Sequence, residues 1–319
     1  MLLKSKDDIE PSIRALRELL ELPTLTKWQK EELQNELDRL LSGARGEREV
    51  AYHIDFRLKD TKNYAIAHDL RIAHNGRTAQ IDHLIVGRFL DIILIESKNI
   101  GTAIRVSRNG EFEVKTRYGW RGMASPLEQS KRHAIVLESL METIGVLPRR
   151  LGITLRPRFY HWILVPPECT IVCRSKEAEI IKWDLFSQHL DEWFQRDDNP
   201  LNLARVLSSE TIIEIVRSLV QHHQPITFDY AAKFGIIPPL CENCRAELDK
   251  EVIQYCAENR EKFSGKLLCR SCQNRYRSVP RCAQCQVELD SKVVAFCRFN
   301  SQRFGKKLYC RTCQKTVDS

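Results

Sequence analysis

Two groups of cysteines near the end of the sequence have the residue type and the spacing of metal ligands. One cysteine pattern occurs twice with identical gaps, and the second copy follows the first by 41 residues. Each copy contains two Cys-x-x-Cys pairs, which together offer the four thiolates that Zn²⁺ binds in a tetrahedron. The predicted ligands are Cys241, Cys244, Cys269 and Cys272 for one ion, and Cys282, Cys285, Cys310 and Cys313 for the other. The sequence therefore predicts two structural zinc ribbons, in which the metal stabilises a unit too small for a large core.

A fifth cysteine lies between the two pairs of each copy, Cys256 in the first and Cys297 in the second. Because four thiolates already complete each site, we predict that the fifth packs in the apolar interior of its unit. The alternative for the whole pattern is a set of disulfides. The sequence has no secretory leader, so we expect a cytoplasmic protein in a reducing compartment, where zinc binding is favoured over disulfides.

A second group of residues has the types that phosphodiester chemistry requires. Asp82 follows an apolar residue in one predicted strand, and Glu96 and Lys98 end the apolar run that begins at Asp91. Adjacent strands could bring both carboxylates to one sheet edge, and the period of two puts Glu96 and Lys98 on one face. Carboxylates bind Mg²⁺, which lowers the pKa of a bound water and neutralises charge on phosphorus, while Lys98 would orient or activate the water. By spacing alone this pattern is common, and a strand-end aspartate is usually a turn or capping residue.

The elements that must position these residues follow from apolar spacing and turn signals. Helical spacing predicts an N-terminal helical hairpin and then a helix that continues to Leu58, and Asn75-Gly76 predicts a tight turn between strands. The other predicted elements are strands at 64–72, 80–86, 91–96 and 159–165 and helices at 125–147, 183–194 and 210–222. The order helix, three strands, helix, strand predicts an α/β domain.

The domain boundaries that we predict combine these elements with the prolines at Pro238 and Pro239, which mark a linker. They are 1–42 for the helical hairpin, 43–195 for the α/β domain, 196–236 for a helical linker, 237–277 for the first zinc ribbon and 278–319 for the second.

The charge of the chain fits an acidic partner. From Ile237 onward there are 16 Lys and Arg against 9 Asp and Glu, so most of the formal net charge of +8 lies in the ribbons. Each four-thiolate zinc site carries about −2, which reduces this surplus. The balance permits nucleic-acid binding without proving it. No apolar run approaches the roughly 18 residues of a membrane span, so we expect no membrane partner.

A basic and aromatic segment at Lys115–Arg121 has two interpretations. It contains Arg117, Tyr118 and Trp120, which could contact a phosphate backbone or stack on bases. A tryptophan that packs in the core is an equal alternative.

Four segments of the α/β region resemble one known family. They are Gly43-x-x-Gly46-Glu47, Gln80-Ile81-Asp82-His83, Glu96-Ser97-Lys98-Asn99 with Gly101, and Pro126-Leu127-x-Gln129. These segments are similar to the nuclease-related domain called NERD, which belongs to the PD-(D/E)xK nuclease superfamily. The resemblance covers about residues 43–165, and Ile81 stands where the superfamily name has proline.

The resemblance implies a restriction-endonuclease-like αβββαβ core. It implies that Glu47, Asp82, Glu96 and Lys98 form the catalytic site, that Gln129 lies nearby on the following helix, and that a catalytic Mg²⁺ or Mn²⁺ is bound. The N-terminal hairpin and the zinc ribbons lie outside the resemblance, so their interpretation depends on the residues alone.

We expect a metal-dependent nuclease that hydrolyses phosphodiester bonds of DNA, with RNA as a second possible partner and with the ribbons assisting the binding of substrate or of a protein partner. The alternative is a nucleic-acid-binding or scaffold protein whose nuclease-like fold has little activity. The set of Asp82, Glu96 and Lys98 favours catalysis, because a retired site has no physical reason to keep a buried carboxylate pair beside a lysine.

Overall fold

The chain folds into two compact units in a computed structural model that describes residues 1–150, 152–196, 205–237 and 239–317. The first unit comprises residues 1–13 and 36–228, and the second comprises residues 14–35 and 229–319. The predicted domain boundaries stay predictions. Residues 197–204 of the predicted helical linker and Pro238 of the predicted joint lie outside the described residues.

The described strands belong to the first unit, and four of them correspond to the strands that the sequence predicts at 64–72, 80–86, 91–96 and 159–165. They are β1 (Leu2–Lys4), β2 (Tyr64–His74), β3 (Arg77–Gly87), β4 (Asp91–Ser97), β5 (Ala103–Val106), β6 (Phe112–Thr116), β7 (Gly119–Met123), β8 (Arg149–Arg150), β9 (Ile153–Thr154), β10 (Arg158–Val165), β11 (Thr170–Cys173) and β12 (Glu179–Lys182).

The described α-helices include two long ones, and two 3₁₀ turns accompany them at Trp183–Leu185 and Arg260–Phe263. The helices are α1 (Glu10–Leu20), α2 (Lys27–Leu58), α3 (Pro126–Thr143), α4 (Phe186–Arg196), α5 (Ser209–Gln221), α6 (Tyr230–Lys233), α7 (Lys250–Glu258), α8 (Arg270–Ser278), α9 (Ser291–Phe299) and α10 (Arg311–Val317). Among the described residues, no helix is both long and apolar enough to cross a membrane.

The main sheet has the mixed topology that the predicted element order requires. Its described strands lie in the order β1-β2-β3-β4-β10-β12. Strands β2, β3 and β4 are antiparallel neighbours, whereas β10 joins β4 in parallel after the crossover through α3. Asn75 and Gly76, with φ of 48° and 71°, form the turn between β2 and β3, and these positive values suit Asn-Gly. The α/β prediction is confirmed.

Helices cover both faces of this sheet and bury its central strands. On one face Leu84 and Leu94 pack with Leu137 of α3 and with residues of α5. On the other, Ile93 and Trp162 pack with residues of α2 and α4. Full burial of one such large apolar side chain contributes about 1.5–3 kcal/mol, so these two cores hold the strand ends in place.

A smaller sheet has its strands in the order β11-β5-β6-β7, of which β5, β6 and β7 lie between β4 and α3 in the chain and β11 follows β10. Its inner face carries Ile104 and Phe112, which pack against Leu127 of α3 and Ile163 of β10. The chain reaches β5 only a few residues after β4 ends, so this sheet borders the same end of the central strands.

The second unit contains both cysteine repeats. We name residues 240–278 the first cysteine module and residues 281–317 the second. Each module has one isolated bridge, Leu240 with Glu247 or Arg281 with Glu288, and two short helices. Asp249 and Asp290 cap the first helix of their modules, because each side chain accepts a hydrogen bond from the backbone N–H three residues later. The two modules therefore share the same capping hydrogen bond as well as the same cysteine spacing.

An ion pair fixes the start of β4 against β10. Asp91 is buried, and its carboxylate accepts from Nε and Nη2 of Arg158 at 2.6 and 3.0 Å. Arg158 is itself paired with Asp91 in the parallel register of the two strands. The two-point contact between Asp91 and Arg158 therefore fixes the register of β4 against β10, and this register determines where the other end of β4 lies.

We predict that Asp91→Ala lowers the free energy of unfolding of the first unit by about 2 kcal/mol, because the arginine loses its partner. Glu214→Ala, which removes the exposed partner of Arg217, should cost less than about 1 kcal/mol. Urea unfolding followed by tryptophan fluorescence measures both values. Equal losses in the two variants would contradict the structural role of the Asp91 pair.

Candidate active site and zinc centres

Glu96 ends the buried strand β4 and is the most enclosed carboxylate of the candidate site. The residue is only 3% exposed, and its Oε1 accepts from Nζ of Lys98 at 2.6 Å and from Nε2 of Gln129 at 2.8 Å. Burial raises the pKa of Glu96, and the Lys98 ammonium opposes that rise. The structure thus brings three of the predicted site residues into direct contact.

Asp82 lies on β3 beside the end of β4. The register pairs His83 with Ile95, so Asp82 and Glu96 are the next residues along the two antiparallel strands. Oδ2 of Asp82 accepts from the backbone N of Ser97 at 2.8 Å. Loss of hydration, and then repulsion by Glu96 and Glu47, raise the pKa of Asp82 well above its ordinary value. The site is therefore crowded with negative charge.

Glu47 reaches the same site from α2, where it acts on both other carboxylates through its charge. The side chain forms an ion pair with Lys6, which lies in the segment between β1 and α1. Sequence reasoning missed Lys6, because this segment has no periodicity and no motif. The only signal was a lysine in a short stretch that β1 ties to the edge of the main sheet.

The start of α3 positions Gln129. Ser125 is the N-cap and accepts from the backbone N of Glu128 at 3.2 Å, and Pro126 occupies the first turn. A serine cap followed by proline fixes where a helix begins, so Gln129 is directed at Glu96 by local chemistry. One turn later, burial and the charges of Arg132 and Lys98 lower the pKa of His133 to about 4.

A close approach between α2 and the residue after Lys98 explains two of the motif residues. A Cβ on Gly46 would lie 2.9 Å from Cβ of Asn99, closer than real Cβ contacts occur. The Asn99 amide donates to the backbone O of Ser42 at 3.0 Å and to its Oγ at 3.1 Å. Glycine at this position therefore lets α2 lie against the end of β4, which carries Glu47 toward Asp82.

A buried chain of polar groups lies behind the site. Nδ1 of His83 is 2.8 Å from Nδ1 of His68, and Nε2 of His83 is 3.0 Å from Oγ of Ser97. His68 in turn contacts Oδ1 of Asp55 at 3.1 Å. Burial, and then the charges of His68 and Lys6, lower the pKa of His83 well below its ordinary value. His83 thus supports β4 from behind, while Asp82 contacts the strand end.

Eight cysteines form two clusters of four in the second unit. In each cluster the Sγ atoms all lie within 4.8 Å of one another. The members are the predicted ligands: Cys241, Cys244, Cys269 and Cys272, and Cys282, Cys285, Cys310 and Cys313. Sulfur at this spacing suits the tetrahedral coordination of Zn²⁺, so the clusters fit the predicted C-terminal zinc sites. Among the described residues, no other group of three or more Cys, His, Asp or Glu side chains meets this closely.

The two pairs of each cluster have different backbone settings. The first pair lies in a tight turn, where N of Arg245 donates to O of Cys241 at 2.8 Å and Arg245 has φ of 63°. The second pair starts a helix, since Cys269 is the N-cap of α8. Hydrogen bonds from the Ser271 hydroxyl and the Cys272 backbone lower the pKa of Cys269 to about 6. A thiol that ionises readily is a better metal ligand.

The fifth cysteine of each module lies outside its cluster. Cys256 is buried, and its sulfur accepts from N of Leu268 at 3.4 Å and from Nε2 of Gln273 at 3.3 Å. Cys297 repeats this arrangement with Tyr309 and Gln314. The fifth thiol therefore packs in the module and also braces the residue before the second pair.

The fold and the site together define a nuclease-related α/β protein with two four-cysteine modules. Residues 42–161 match the family model of the nuclease-related domain, NERD, so the chain carries a domain of that family with its PD-(D/E)xK-like fold. No curated protein and no solved structure shows a match to the chain.

We predict that His83 makes the first unit less stable as pH falls. The unfolded chain binds a proton at this histidine below about pH 6.5, whereas the buried ring stays neutral. The unfolding free energy should therefore fall with pH, by at most about 1.4 kcal/mol per pH unit from this group, down to the lowered pKa of His83. Urea unfolding at several pH values measures the slope. His83→Gln should flatten it and the exposed-histidine control His222→Gln should not, and equal slopes in the two variants would contradict the assignment.

Proposed function

We propose that the first unit is a metal-dependent nuclease that hydrolyses phosphodiester bonds of DNA. The observation that supports this most is the contact of Glu96 with both Lys98 and Gln129, beside Asp82, inside a nuclease-related domain. A buried carboxylate held by an ammonium and an amide is organised before any ligand arrives, as catalysis requires. A scaffold has no need for this arrangement.

Asp82 and Glu96 would hold Mg²⁺ or Mn²⁺. Their chemistry fits, because both offer hard oxygen donors, and their pKa values are raised first by burial and then by neighbouring negative charge, which a divalent cation would neutralise. Mg²⁺ typically takes one or two carboxylates and fills its other positions with water and phosphate oxygens. When bound, the cation supplies charge for the phosphate oxygens and acidifies a water.

Lys98 and Gln129 have separate roles in this proposal. Gln129 fixes one oxygen of Glu96 through its amide and so keeps the carboxylate oriented. Lys98, whose ammonium contacts the same oxygen, orients the attacking water and stabilises charge on the phosphoryl oxygens. Glu47, paired with Lys6, completes the acidic set at the edge nearest α2.

The two modules would each bind one structural Zn²⁺ and help to bind substrate or a protein partner. Their excess of basic residues supports nucleic acid, whose phosphates they would neutralise. Thiols kept for metal binding need a reducing compartment, which supports the expected cytoplasmic location.

We predict that Asp82→Ala and Glu96→Ala abolish DNA cleavage with Mg²⁺ or Mn²⁺ and leave the fold nearly intact, because both replacements relieve charge repulsion. Lys98→Ala should lose most of the rate and keep the metal, since its ammonium acts on the water and the phosphate. The assay compares plasmid and linear DNA, with and without added divalent metal.

The exposed variant Glu214→Ala is the control, and it should cut like the parent. If the parent protein cuts neither DNA nor RNA with any divalent metal, the nuclease proposal is wrong and the alternative of a nucleic-acid-binding scaffold takes its place. Cleavage by all three site variants would move the active site elsewhere.

We predict two zinc ions per chain by elemental analysis. Cys269→Ser should lose one zinc and unfold its own module, because metal binding supplies most of the folding free energy there. Cys256→Ala is the matched control, since this buried cysteine lies outside the cluster, and it should keep both ions. Loss of one zinc in Cys256→Ala, or fewer than two in the parent, would overturn the ligand assignment.

A further inference from the structure

The β6–β7 hairpin of the smaller sheet ends in an exposed aromatic side chain. Strands β6 and β7 pair from Phe112 with Met123 to Thr116 with Gly119, which leaves Arg117 and Tyr118 at the tip. Tyr118 is 84% exposed, and the Arg117 guanidinium lies 4.6 Å from the centroid of its ring. A large aromatic ring in water gains nothing for the fold.

The two central residues of this tip are not ones that turn geometry requires. Elsewhere in the same unit, the turn between β2 and β3 uses Asn75 and Gly76, which adopt positive φ easily. At the β6–β7 tip the bend is instead absorbed by Gly119, with φ of 118°, and by the Thr116 hydroxyl, which donates to O of Gly119 at 2.9 Å. Thr116 and Gly119 close the turn around Arg117 and Tyr118, so the turn itself does not require an arginine or a tyrosine at its two central positions.

The outer face of the hairpin carries a second aromatic ring between cations. Trp120 is paired with Lys115 across the two strands, and the Lys115 ammonium lies 5.5 Å from its ring centroid. The Arg105 guanidinium lies 4.4 Å from the same ring and also pairs with Glu113. Trp120 is therefore held in place by cation–π contacts. The core alternative for this tryptophan is wrong, because Trp120 is absent from the buried residues.

The sheet segment is basic overall. Residues 103–123 contain five Arg or Lys and two Glu. Of these cations Lys115, Arg117 and Arg121 lie around the hairpin tip and are exposed. A surface that combines an exposed tyrosine ring and a half-buried tryptophan ring with cations fits a ligand that has flat apolar faces and a negative backbone.

The hairpin also lies close to the candidate active site. Oγ1 of Thr102 donates to the backbone O of Lys115 at 2.7 Å. Thr102 is four residues after Lys98, and four extended residues span at most about 14 Å. Lys115 of the hairpin is therefore within a few nucleotides of the carboxylates along a bound strand.

We propose that the β6–β7 hairpin binds an unpaired nucleic-acid strand next to the active site. Tyr118 and Trp120 stack on its bases, and Lys115, Arg117 and Arg121 neutralise its phosphates. Unpaired bases are required because a ring at a hairpin tip stacks only on a base whose face is open. The inference rests on the proposed nuclease function and specifies the strand state of its substrate.

Binding of a labelled single strand to the full chain tests this inference. The measurement is fluorescence anisotropy in the Glu96→Gln background without added divalent metal, so that no strand is cut. Chelators are omitted because they would remove zinc. Tyr118→Ala should weaken binding about five-fold or more, and Tyr118→Phe, which keeps the ring, should bind like its background. Arg117→Gln should reduce the salt dependence of log K by about 0.7.

Two controls keep the test specific. Phe56→Ala removes a ring on α2 that is 76% exposed, and Arg77→Gln removes an exposed cation at another hairpin, and neither should change binding. Equal binding by Tyr118→Ala and its background, or equal losses in Tyr118→Ala and Phe56→Ala, would overturn the inference. Duplex that binds as tightly as a single strand, with no dependence on Tyr118, would overturn it as well.

Single-stranded DNA and RNA of the same length are compared in separate arms, and dependence on Tyr118 in either arm supports the surface. The outcome is separable from that of the nuclease. If the parent cuts nucleic acid and Tyr118→Ala does not change binding, the proposed role of the hairpin is rejected and the proposed nuclease function is kept. If binding depends on Tyr118 but the parent cuts no nucleic acid, the proposed role of the hairpin is kept and the proposed nuclease function is rejected.

Discussion

The arrangement of the candidate site depends on keeping the Glu96 carboxylate buried near the end of β4. An isolated carboxylate in this position would lose several kcal/mol of hydration. Lys98 and Gln129 supply the compensating contacts, and each needs a particular element. Lys98 needs the strand to run two residues further, and Gln129 needs α3 to begin at its Ser125 cap. The small sheet packs against the start of α3 through Leu127, and the close approach at Gly46 places α2 against Asn99, three residues after Glu96.

The second unit is stabilised by a different constraint. Its modules have short helices and single bridges in place of an extended sheet, and their small cores centre on a few side chains such as Phe263 and Phe304. Metal coordination can supply the missing free energy, because the ligands converge only in the folded state. The fifth thiol and its glutamine partner then align the second pair of each module. This division explains how one chain can contain a large apolar core and two very small ones.

The sequence predicts the elements with strong local signals and fails where tertiary contacts decide. The strands through Asp82 and Glu96 follow from apolar runs and from Asn75-Gly76, and the thiol clusters follow from spacing alone. Lys6 could not be predicted from the sequence, because its contact with Glu47 depends on β1 joining the edge of the main sheet. The segment at Tyr118 was recognised by composition, but its form as a hairpin was missed, since its turn lacks the usual residues. Local sequence signals thus predict the elements that carry Asp82 and Glu96, and tertiary packing decides which further side chains contact them.

The central claim is that Asp82 and Glu96 form one cation site that exists before substrate binds. Its most direct test is a titration of Mn²⁺ into the zinc-loaded protein without nucleic acid, followed by electron paramagnetic resonance. The account predicts one bound Mn²⁺ in the parent, none in Glu96→Gln, and one in Lys98→Ala. Mn²⁺ that binds equally to the parent and to Glu96→Gln would contradict it.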